Sequence, residues 1–202
     1  VVMLVPPAAM VTLHCADYPE LAPRQGRAAA RLAALAGGML PTDQLFAAAN
    51  ENDDPALPHI VGVAARSDMQ HWLLWAQHHG LDPDIIVPAP LLLPEPVEGM
   101  AQGELADELL LRGKDIALTG DLAAELSADA AIEHVSPDQL IERAVAALER
   151  PPLDMRQGDF AKRVRRVADK RALTAVERAH PVGELADHAD FCGAPACGGE
   201  QP

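Results

Sequence analysis

The stretch PHIVGVAARSDMQHWLLWAQHHGLDPDIIVP, residues 58–88, decides the fold class. Its opening, PHIVGVAAR, is rich in β-branched residues and reads as a buried strand. It runs directly into SDMQHWLLWAQHHG, where Ser67 and Gln70 have the spacing of a capping box. Met69, Trp72, Leu73 and Ala76 then fall on one helical face, and Gly80 ends the helix. Trp75 projects about 300° from Trp72, so Trp72 is the core residue of the two. A further apolar strand, DIIVP, follows. Strand, capped helix and strand in this order form a βαβ-like unit, which favours an α/β fold over an all-helical one.

Upstream, VVMLV and MVTLH read as two short strands parted by Pro6-Pro7, predicting a hairpin or a strand pair at a sheet edge. RQGRAAARLAALAGG is an alanine- and leucine-rich helix from Arg24 to the Gly37-Gly38 stop. QLFAAAN fits strand and helix equally, and ENDDPALP, residues 51–58, is an acidic, proline-punctuated surface loop. Downstream, DELLLRG and KDIALTG predict strands meeting at the turn Arg112-Gly113-Lys114, and DLAAELSA a short helix. SPDQL opens the last helix, with Ser136 as cap, Pro137 in the first position and Gln139 as box partner. Leu140, Ile141, Ala144, Val145 and Leu148 form its apolar stripe, and Pro151-Pro152 stops it.

With 202 residues and 49% hydrophobic content, the chain can bury one sizeable core. The organisation expected is a domain over 1–161, a basic juxtamembrane-type segment over 162–171 and a disordered polar tail over 172–202. A net charge of −14 argues against nucleic acid as a partner, since a phosphate backbone needs a positive field facing it. The cations concentrate instead in Lys162, Arg163, Arg165, Arg166, Lys170 and Arg171. Such a collar suits the cytoplasmic face of a membrane, where anionic lipids attract it, and on charge alone it equally suits a solvated helix face. Three cysteines are too few for a disulfide framework and point to a reducing compartment. No apolar run approaches the ~18 residues that span a bilayer, so the sequence as given reads as soluble.

No constellation announces catalysis. LLLRGKDIALTGD, residues 109–121, has glycines, a lysine and an aspartate near strand ends, but neither GxxxxGK[ST] nor GxGxxG occurs, and a β-turn explains it. His78 and His79 sit where a helix dipole favours cations, and adjacent helical positions diverge too far to share a metal. Cys192 and Cys197, with His188 and His180, offer a zinc set at the wide edge of usual spacing within an unstructured-looking tail. Asp53-Asp54 lie in the acidic loop, where solvation accounts for them. The expectation is therefore no catalytic, cofactor-binding or metal residue.

Three motif stretches nonetheless carry a resemblance. MLVPPAAMVTLHCADYP resembles a strand, L-P, strand, L-P opening. The run of Gly80, Leu81, Pro83, Asp84, Val87, Pro88, Leu91, Leu93 and Pro94 resembles G-L-x-P-D-x-x-V-P-x-x-L-x-L-P, and LDMRQGDFA, residues 153–161, resembles an L-x-x-R-Q-G-x-F/Y-A closing box. All three are similar to the cytoplasmic domain of type II secretion system protein L (GspL), with related pilus-assembly proteins as the nearest confusion. The resemblance covers most of residues 3 to 163.

That resemblance implies an actin-like (ribonuclease H-like) α/β fold, a mixed sheet with flanking helices that has lost nucleotide catalysis. It implies an inner-membrane platform component of the type II system that docks the secretion ATPase (the E component), pairs with the M component, reaches the pseudopilins and forms a homodimer. MRQGDF then closes the domain, its Gly-Asp pair a turn rather than an anion cradle, and Lys162, Arg163, Arg165 and Arg166 contact anionic lipid. The sequence departs from the pattern at both ends: strands are expected before the first motif, and a hydrophobic span after the basic run. The acidic loop Glu51–Asp54 is the face nominated for the ATPase. The rival readings are an actin-like ATPase or kinase-fold protein and a type IV pilus assembly platform protein.

Overall fold

The computed structural model describes residues 1–52, 54, 57–114, 117–119 and 131–162, all within one unit, Val1–Arg163. Its strands are β1 (Met3–Leu4), β2 (Thr12–Ala16), β3 (Leu45–Ala49), β4 (His59–Ala65), β5 (Ile85–Ile86), β6 (Met100–Leu105), β7 (Glu108–Arg112), β8 (Ala117–Thr119) and β9 (Ile132–His134). The helices are α1 (Pro23–Ala36), α2 (Arg66–His78) and α3 (Pro137–Glu149), with 3-10 turns at Ala8–Met10, Ala89–Leu92 and Gly158–Phe160. This is the mixed α/β composition expected from the sequence.

The strands divide among three sheets, ordered β1-β5, β2-β4-β3 and β8-β7-β6-β9. Two expectations fail here. β1 and β2 form no hairpin: β1 pairs in parallel with β5, while β2 pairs antiparallel with β4. The prolines and the 3-10 turn at Ala8–Met10 turn the chain out of one sheet and into the other. Nor do β4, α2 and β5 form a βαβ unit, because β4 already has antiparallel neighbours on both sides, leaving β5 to pair elsewhere.

QLFAAAN resolves as strand β3, buried along its whole length. Period-two alternation explains this, since Leu45, Ala47 and Ala49 meet Ala30 and Ala34 of α1, and Phe46 and Ala48 enter the cluster of Met69, Leu153 and Met155. The small buried face of α1, Gly26, Ala30 and Ala34, lets it lie close on the sheet. At Gly26 a Cβ would stand 2.7 Å from Nε2 of the buried His59.

Met69, Trp72 and Ala76 are buried on α2 and Trp75 is half exposed, as the helical period predicts. The capping box is not formed: the helix begins at Arg66 with Ala65 as its cap, so Ser67 already lies inside the first turn. At the other end Gly80, at φ 70°, donates to Gln77, and Leu81 donates to Ala76. These two bonds satisfy the last carbonyls in a Schellman motif.

A second cluster joins Val87, Leu92, Leu93, Ala101, Leu110, Val135, Leu140 and Ala147. α3 carries the expected capping box, Gln139 N donating to Ser136 Oγ at 3.3 Å and Ser136 N to Gln139 Oε1 at 2.8 Å. Its stripe is narrower than predicted. Leu140 and Ala147 are buried, whereas Ile141 and Val145 are 61% and 59% exposed, one helical step to the side of the core. β7 and β8 pair as expected, Arg112 opposite Ala117. The sequence pattern predicts neither β6 nor β9; β6 joins β7 through Ala106-Asp107, both left-handed at φ 52° and 64°. The expected helix DLAAELSA, the basic run from Arg163 and the tail lie outside the described residues. Among the described residues no helix is long and apolar enough to cross a membrane.

Candidate functional site

The closing box LDMRQGDFA, residues 153–161, is bonded into the domain at several points. Leu153 and Met155 are buried at its start, and Met155 N donates to Ile86 O at 2.8 Å. One oxygen of Asp154 accepts from Ile86 N at 3.0 Å and from Arg156 N at 2.8 Å. Arg156 Nη1 donates to Pro83 O at 2.9 Å, and Gln157 Nε2 to Ala49 O at 2.8 Å. Arg66 Nη1 meets Asp159 Oδ2 at 2.8 Å, and Phe160 stands edge-on to Phe46 with centroids 4.9 Å apart. Gly158 supplies the positive φ, 54°, of the closing 3-10 turn. The Gly-Asp pair is thus a turn, as expected, and the box ties together β3, β5 and the start of α2.

Lys162, assigned from the sequence to a lipid-facing collar, is instead held by carboxylates: Nζ lies 3.1 Å from Asp82 Oδ2 and 2.5 Å from Asp84 Oδ1. The hydrogen bond from Lys162 and that from Val2 N hold the Asp84 carboxyl below its usual range, and the bonds to Asp84 and Asp82 raise the Lys162 ammonium. Arg163, Arg165 and Arg166 lie outside the described residues.

Two concavities flank the 3-10 turn Ala89–Leu92. One, about 560 Å³, is lined by Arg112, Arg143, Arg150, Glu95 and Glu149. Arg112 Nη1 donates to Leu93 O at 2.7 Å and its Nη2 meets Glu95 Oε2 at 3.3 Å, while Arg143 Nε donates to Leu92 O at 2.7 Å. Burial lowers the Arg112 pKa, and Glu95 counters that shift. These arginines clamp the carbonyls of the L-x-L-P run, so Arg112 has a structural role; residues 115, 116, 120 and 121 of the 109–121 stretch lie outside the described residues. Spacing could not reveal the clamp, because its partners lie 19 to 51 residues away. The second concavity, about 650 Å³, is an apolar groove between Val5-Pro6-Pro7, the β6–β7 turn and α3.

Among the described residues, the remaining candidates do not assemble into one site. His79 Nδ1 lies 2.8 Å from Trp75 O, and its ring tilts over Trp75 with centroids 4.5 Å apart. Among the described residues no three His, Cys, Asp or Glu are grouped to hold a metal; Cys192, Cys197, His180 and His188 lie outside them. In the acidic loop Glu51 is exposed, 3.8 Å from Arg27 Nη1, and Asn52 Oδ1 accepts from Asp54 N at 3.0 Å. Asp53 lies outside the described residues.

A family profile described as type II secretion system (T2SS), protein L, matches residues 1–137. No curated protein matches the chain. Among solved structures, it is similar to the cytoplasmic domain of EpsL, an inner membrane component of the type II secretion system of Vibrio cholerae. The TM-score is 0.62 at 16% identity, over 78% of each chain. At that identity the likeness speaks to the fold.

Proposed function

The chain belongs to the type II secretion system protein L family, and from that premise we propose that it is a non-catalytic scaffold of actin-like fold docking the secretion ATPase to the inner-membrane platform. The match over residues 1–137 carries this reading. Bonding within the domain at the 80–94 and 153–161 motif stretches supports it: Arg112 and Arg143 donate to carbonyls of the first, and Arg156 and Gln157 of the second donate to main-chain carbonyls elsewhere. In this reading ATP is hydrolysed by the partner, and the chain contributes a binding surface. Its charge of −14 attracts a basic partner face, and the exposed Glu51 adds to the field that steers the encounter. The same reading assigns anionic-lipid contact to the basic residues from Arg163 onward by their charge, and pairing with the M component, the pseudopilins and a second copy to the assembled platform.

The rival is an actin-like ATPase or kinase-fold enzyme, which must hold magnesium and phosphates. Calorimetric titration of the chain with magnesium and ATP separates the two. The scaffold reading expects no binding heat, together with retention of a secretion ATPase's amino-terminal domain in a pull-down. Micromolar ATP binding, or no retention, overturns it.

A further inference from the structure

We propose that the apolar groove between Pro6-Pro7, the β6–β7 turn and α3 receives the docking segment of the partner, and that this segment carries aliphatic or aromatic anchors flanked by lysine or arginine. The inference rests on the docking reading above and gives it an address.

The groove's walls come from Val5, Pro6, Leu105, Ile141 and Ala144. α3 already buries Leu140 and Ala147 in the core, yet it holds Ile141 61% exposed at the groove. A concave apolar surface with a large aliphatic side chain left in water is where a partner's side chains gain most by insertion. Its edges are set before anything binds. Proline fixes the backbone at positions 6, 7 and 137, and the left-handed pair Ala106-Asp107 closes the β6–β7 end.

Charge then selects the occupant. Among the described residues lining the groove, the charged ones are Glu104 and Glu108, and Ala8 N donates to Glu108 Oε2 at 3.2 Å, fixing that carboxylate at the rim. A second copy of a chain with net charge −14 would set acid against acid there. A segment with basic flanks gains at the same positions, so the two carboxylates select for one and against the other.

The test titrates the full chain with the amino-terminal domain of a type II secretion ATPase, comparing wild type, Ile141→Asp, Glu104→Lys and, as a control on the exposed face of α2, Leu74→Asp. Ile141→Asp is expected to weaken binding by about 10-fold or more, equivalent to ~1.4 kcal/mol. Glu104→Lys should weaken it and flatten its salt dependence, while Leu74→Asp leaves it unchanged. Circular dichroism checks that each variant is folded, and Glu104→Lys, at an exposed position, carries the test if Ile141→Asp is not. Wild-type affinity in both groove variants overturns the groove and leaves the docking reading standing. No binding by wild type removes both. Loss of self-association in Ile141→Asp with ATPase affinity intact assigns the groove to a second copy and overturns the proposal.

Discussion

Asp84 joins the two ends of the described domain. Its Oδ2 accepts from Val2 N at 2.7 Å, and its Oδ1 pairs with Lys162 Nζ at 2.5 Å. Because the folded carboxyl is depressed, its contribution is present above the ordinary carboxylate pKa and fades as pH falls through the lower folded value. Lys162 is raised, so its share is present below the ordinary lysine value and is lost as pH climbs through the higher one. Asp84→Asn should therefore melt below wild type at neutral pH, with the gap closing below about pH 4. Melting curves that stay parallel from neutral to acid pH would contradict this. Added salt should narrow the gap too, because the pair is solvent-accessible. Ala106 offers a second residue-scale test. At φ 52° its Cβ is strained where glycine would not be, so Ala106→Gly should raise stability by about 0.5 kcal/mol in urea unfolding despite glycine's greater unfolded-state freedom.

At the scale of elements, two serines look alike in sequence and differ in the fold. Ser136 caps α3 with both bonds of the box in place, whereas Ser67 lies inside α2 and makes no cap bond. Ser136→Ala is expected to cost about 1 kcal/mol, and Ser67→Ala to stay within ~0.5 kcal/mol. Equal losses in chemical unfolding would refute the assignment. The difference was not legible because strand β4 runs straight into α2, which moves the helix start one residue ahead of the motif. β6 is silent in the sequence for another reason: MAQGEL lacks β-branched residues, and Ala106-Asp107 carries none of the Asn-Gly chemistry that marks a two-residue turn. β4, α1 and α3 were legible from composition and caps. Ile141 was legible only as apolar; its place on the groove depends on how far α3 is rotated over the core.

For the whole molecule, the motif of the closing box was readable and the work it does in the fold was not. Its contacts reach Ala49, Pro83 and Ile86, far back in the chain, and no local pattern encodes them. The same holds for the β1–β5 pairing, which joins Met3 to Ile85. Leu153 interlocks with Gly62 of the central strand β4, where an added Cβ would stand 2.9 Å from Leu153 Cδ2. Leu153→Ala should thus destabilise the domain by about 2–5 kcal/mol, measured by denaturant unfolding, with a loss under 1 kcal/mol counting against the clasp. A scaffold needs that rigidity, since a preorganised surface loses less freedom on binding. The central claim, that this fold presents a docking surface to the secretion ATPase, is tested most directly by sedimentation velocity of the full chain mixed with the ATPase's amino-terminal domain. The account predicts a faster complex of the two that weakens as salt rises; two independent boundaries at micromolar concentration and low salt would contradict it.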